Sequence, residues 1–146
     1  MPITSPIITP VVVLVAWSMV MWLWMYVTRL PAMKAANMQP DPQAPRGEQM
    51  STLPARVRWK ADNYNHLMEQ PTAFYAVALS LALLGQGDGI NLALAWAYVG
   101  IRVVHSLLQA LINKIELRFV LFTLSSLALV GLAANALWAV SYTPLT

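Results

Sequence analysis

The chain has 146 residues, 58% of them hydrophobic and only 10% charged, against roughly 25% charged in an ordinary soluble domain. A chain of this length exposes much of its surface on folding, so the charge deficit excludes a water-soluble domain and points to lipid as the solvent. It contains no cysteine, which excludes a disulfide framework, a thiolate metal site and a thiol nucleophile of the protein's own. Sulfur chemistry would require a thiol brought in from outside.

The first 28 residues hold no Asp, Glu, Lys, Arg or His, and a span drawn at 7–28 is long enough, at about 1.5 Å per residue, to cross a hydrocarbon layer of about 30 Å. No basic segment precedes it and no small-x-small site follows, so it reads as a retained span rather than a cleaved signal. A proline-rich polar loop follows at 31–52 and is expected to form an irregular cap. The second span is drawn at 55–84, with Pro71 expected to kink the helix rather than end it. A Gly-rich turn over 85–89 leads to a third span at 90–112, which carries Arg102 and His105. A short basic turn over 114–118 leads to a fourth, at 118–142, rich in Leu, Ala and Val. The expected fold is all-α: one domain over 1–146, an integral membrane bundle of four transmembrane helices.

The nine basic residues give the orientation. Six (Arg29, Lys34, Arg46, Arg56, Arg58, Lys60) belong to the first connection or its helix ends, and Lys114 and Arg118 to the third. By the positive-inside rule those connections face the cytoplasm, with both termini and the Gly-rich turn on the non-cytoplasmic side. The net charge of +3 therefore reports topology, and no nucleic-acid partner is expected.

The ninth basic residue, Arg102, lies inside a span, where a charge costs about 2.5 to 3.5 kcal/mol on insertion scales and needs a partner. His105, Ser106, Gln109 and Asn113 follow it at helical spacing, so this face is expected to turn away from lipid. On the second span Arg58, Asp62, Asn65 or His66, and Glu69 form a matching stripe, and Glu69 is the expected counter-ion of Arg102. Such a pair also serves a purely structural role in holding helices together. The two histidines have no metal-ligand spacing around them, and no metal is expected.

Asn65-His66-Leu67-Met68-Glu69-Gln70-Pro71 with Phe74-Tyr75, then Gly100-Ile101-Arg102-Val103-Val104-His105, then Arg118 sixteen residues after Arg102, together resemble the membrane-associated proteins in eicosanoid and glutathione metabolism (MAPEG). The second-helix spacing resembles a bacterial-type branch. The resemblance implies a homotrimer in a bacterial inner membrane, with glutathione as cosubstrate bound between neighbouring copies near the cytoplasmic face. Carried over, Glu69 and Arg102 would anchor glutathione, with polar contacts from Asn65 or His66. His105 and Gln109 would belong to the same binding set, and Arg118, the catalytic residue, would stabilise the thiolate. The family's third-helix tyrosine falls on Gln109 and a fourth-helix tyrosine on Phe122, leaving Ser106 or Ser126 as substitute hydroxyls. The implied activity is a glutathione transferase or peroxidase acting on a small lipophilic electrophile from the bilayer. The alternatives are a non-catalytic membrane binding or assembly module of the same fold, and a small transporter, which the apolar outer halves of the spans disfavour.

Overall fold

The computed structural model describes residues 4–142, and the regular elements among them are all helical: α1 (Ile8–Ala35), α2 (Glu48–Ser51), α3 (Ala55–Leu67), α4 (Pro71–Leu83), α5 (Gly89–Leu111) and α6 (Ile115–Tyr142). Helices α1, α5 and α6 are long and apolar enough to cross a membrane. The extreme tails, 1–3 and 143–146, whose side of the membrane was an expectation from charge, lie outside the described residues.

The expected second span is divided. Instead of one kinked helix, α3 and α4 have 13 residues each, about 20 Å apiece, and residues 68–70 separate them. The cause is Pro71, which has no N–H and whose ring would strike the carbonyl of Leu67, four residues back. The last bonds of α3 tighten accordingly, from Met68 N to Asn65 O and from Glu69 N to His66 O. Pro71 then sits in the first turn of α4, where a missing N–H costs nothing. Pro71 thus ends one helix and starts the next.

The loop expected at 31–52 is shorter, because α1 continues to Ala35 and one turn, α2, forms within it. Gln49 ties the rest: its amide donates to Gln39 O at 2.8 Å and its Oε1 accepts from Asp41 N at 3.1 Å. At the opposite end α4 stops in a Schellman motif. Gly85 takes the left-handed conformation (φ 68°), Gly85 N donates to Ala82 O and Gln86 N to Leu81 O, which satisfies the last carbonyls. Ile7 N then donates to Gly87 O at 3.0 Å, fastening the start of α1 to this turn.

The most extensive helix contact is α5 against α6, and α1 packs on α3, α4 and α5. Phe74 of α4 and Tyr98 of α5 stack at the centre, with ring centroids 4.4 Å apart and planes at 15°, surrounded by buried Leu14, Met21, Leu81 and Leu132. Large apolar side chains such as Leu23, Val27, Leu127 and Leu137 point outward. A water-soluble surface avoids such a continuous apolar exterior, whereas lipid favours it.

Candidate functional site

The α5 face carries Arg102, His105, Ser106 and Gln109, and all four are buried, in keeping with their helical spacing. Their partners differ from those expected. Arg58, Asp62 and Asn65 of α3, and Glu69 just beyond its end, are exposed, and the stripe that α3 buries is Lys60, Asn63 and Leu67. Of the expected α3 set, His66 alone turns inward, half-buried.

Arg102 has no exposed surface; its hydrogen-bond partner is His66, with Glu69 acting on it as a nearby charge. Its Nη2 donates to His66 Nδ1 at 2.9 Å and to His66 O at 3.2 Å. Nε and Nη1 have no hydrogen-bond partner among the described residues. Pro71 explains the second bond: the break leaves the His66 carbonyl with only a long 3.4 Å bond from Glu69 N, and a cation at a helix C-terminus is electrostatically favoured. The guanidinium also lies over the Phe122 ring, 5.7 Å from its centroid.

His66 stacks on His105 with ring centroids 5.0 Å apart, and Phe122 meets His66 edge-on at 5.4 Å. These three, with Ile115, Arg118 and Phe119, line a groove of about 210 Å³. Arg118 enters it from the first turn of α6, where its Nη1 donates to Asn113 Oδ1 at 2.6 Å, while its Nε is buried without a partner. Asn113 is itself in the left-handed region (φ 56°), which asparagine tolerates better than most residues. The turn that ends α5 therefore also aims Arg118.

The structure thus brings Arg118, His66 and His105 to one groove, with Arg102 behind it. Gln109 is buried off the groove, its Oε1 without a partner. Asn65 opens on a separate pocket of about 250 Å³, whose lining includes Arg29, Ser51, Arg58 and Asp62, and Glu69 stays on an exposed surface. Neither candidate hydroxyl lines the groove. Ser106, fully buried, accepts from Trp17 Nε1 at 3.0 Å and from Asn63 Nδ2 at 2.7 Å. Ser126 accepts from Gln70 Nε2 at 2.8 Å and donates to Phe122 O.

Several residues of these networks escape a reading of the sequence. Trp17 looks like any aromatic in an uncharged span, and Tyr98 reaches Gln70 Oε1 at 3.2 Å only because Pro71 opens the chain beside Gln70. Asn63 had a signal, its three- and four-residue spacing from Lys60 and Leu67.

No curated protein and no solved structure matches the chain. A family model, described as MAPEG family, matches residues 7–138. That match covers nearly the whole helical bundle, including α3, the proline break, the buried α5 face and Arg118. The chain belongs to the MAPEG family.

Proposed function

We propose that this integral membrane protein is a glutathione-dependent enzyme of the transferase or peroxidase type. The observation that carries the reading is the groove of Arg118, His66 and His105, in a chain without a thiol of its own. Buried guanidinium donors without partners, Nε of Arg118 and both Nε and Nη1 of Arg102, fit an anionic ligand with several acceptors, because buried cationic donors are costly to leave unmade. Glutathione, when bound, supplies a thiol that becomes a thiolate and attacks a lipophilic electrophile from the bilayer. Arg118 is the residue assigned to that thiolate, since a guanidinium within about 4 to 6 Å favours the charged form of a thiol.

Asn65 and Glu69 face outward, which suits a ligand held between neighbouring copies in a homotrimer. In the same reading α3 and α4 together make a fourth crossing, with the 36–54 connection on the cytoplasmic side and the Gly85 to Gly89 turn on the other. Calorimetric titration of the detergent-solubilised protein with glutathione tests the reading: saturable binding is expected, and its absence sinks it. Arg118→Ala is expected to lower turnover of an aromatic electrophile by about 10²-fold, the usual cost of losing one donor to a developing anion. Turnover equal to the wild type removes Arg118 from the chemistry.

A further inference from the structure

Among the described residues, no hydroxyl lines the groove. Its polar lining is Arg118, His66 and His105; Ser106 lies outside it as the acceptor of Trp17 and Asn63, and Ser126 outside it between Gln70 and Phe122 O. What the imidazoles offer a ligand depends on which ring nitrogen carries the proton. For His66 the surroundings decide this. A guanidinium nitrogen has only N–H bonds to give and cannot accept, so the 2.9 Å contact between Arg102 Nη2 and His66 Nδ1 requires Nδ1 to present its lone pair. An imidazolium, which carries a proton on both nitrogens, is incompatible with that contact. His66 is then neutral, its single proton is on Nε2, and its only lone pair is occupied. Arg102 is held to this task by its second bond, to His66 O at 3.2 Å, and by complete burial.

We propose that Arg102 is a positioning residue that fixes His66 as the Nε2–H tautomer, and that His66 serves the groove only as a hydrogen-bond donor, to the sulfur of bound glutathione. The ligand class rests on the proposed function above. His66 in this state cannot act as a proton acceptor. The groove therefore stabilises a thiolate by two donors, the charged Arg118 and the neutral His66, and the thiol proton leaves to solvent rather than to His66. The groups that face His66 are Arg102 and His105 of α5 and Arg118 of α6.

Two substitutions separate the two nitrogens. Asparagine places its amide near the position of Nδ1, so His66→Asn keeps an acceptor for Arg102 and withdraws the donor. Glutamine reaches the position of Nε2, so His66→Gln restores an N–H to the groove. The readout is the ultraviolet absorbance of the thiolate of protein-bound glutathione, followed against pH. Loss of a hydrogen bond to a charged group should move the midpoint up by about one to two pH units in His66→Asn, with most of that shift recovered in His66→Gln. Equal midpoints in wild type and His66→Asn, with glutathione bound in both, overturn the role of His66 and leave the proposed function standing. Failure of wild type to bind glutathione overturns both. Nitrogen NMR of the histidine-labelled protein, without glutathione, tests the tautomer directly. Protonated Nε2 and bare Nδ1 are expected at His66, and a proton on Nδ1 overturns the proposal whatever the variants do.

Discussion

Single atoms decide how the interior of this bundle is held. Ser106 Oγ receives donors from α1 and α3 and belongs to α5, so one fully buried hydroxyl joins three helices. Removing it leaves the Trp17 indole and the Asn63 amide as buried donors without an acceptor, at a cost of about 1–3 kcal/mol. Ser106→Ala is therefore expected to lower the thermal midpoint in detergent, and an unchanged midpoint would mean that the three helices do not depend on this hydroxyl. Asn113 combines two functions that substitution can separate. Asn113→Gly keeps the left-handed turn, since glycine adopts positive φ freely, but deletes the acceptor of Arg118. Its expected effect is a fall in turnover with little change in melting. Loss of melting with turnover intact would show that the asparagine serves the turn alone.

Among the helices, the break between α3 and α4 has the largest consequence, because it supplies the carbonyl that Arg102 caps and frees Gln70 to bridge Tyr98 and Ser126. Pro71→Ala returns an N–H able to bond Leu67 O. Hydrogen exchange over 68–72 is expected to slow as α3 and α4 join, whereas unchanged exchange would mean that Arg102 and Gln70 hold the break without the proline. At the other end of the bundle, Gly87 carries the carbonyl that receives Ile7 N, and a Cβ built there would sit 2.8 Å from Ile7 Cγ2 and closer still to the Ser5 hydroxyl. Gly87→Ala is expected to cost about 1–3 kcal/mol through overpacking, with glutathione binding preserved because the groove lies at the opposite end.

For the whole molecule, the distribution of charge makes a prediction that the absence of cysteine renders easy to test. Single cysteines in a cysteine-free chain report their own side of a membrane. Gln43→Cys, in the connection after α1, is expected to react with an impermeant thiol reagent only from the cytoplasmic face, and Gln86→Cys only from the other. Both reacting from one face would show that α3 and α4 do not cross together. The outward positions of Asn65 and Glu69 bear on assembly in the same way: three chains per detergent particle are expected, and a monomer that still binds glutathione would remove these two residues from its site.

The helical class, the three long spans and the buried face of α5 were legible in the sequence, because apolar run length and a spacing of three and four residues are local properties that survive without knowledge of neighbours. Pro71 was visible as a perturbation, but its strength was not, since whether a proline kinks or ends a helix depends on what satisfies the carbonyls it frees. The α3 face was misread for a related reason. Two polar stripes ran along this segment, and only packing against α1 and α5 showed that Lys60 and Asn63 turn inward while Asp62 and Glu69 stay exposed. Arg102 was recognisable as a buried charge needing a partner, yet the partner's identity required three dimensions. A carboxylate offers the stronger attraction on paper, but the opened backbone at His66 supplies an imidazole nitrogen and a carbonyl within reach of one guanidinium nitrogen. Composition fixed the solvent and helical periodicity fixed the elements, while the pairing of polar groups inside the bundle was settled by tertiary contact, where geometry outweighs nominal charge.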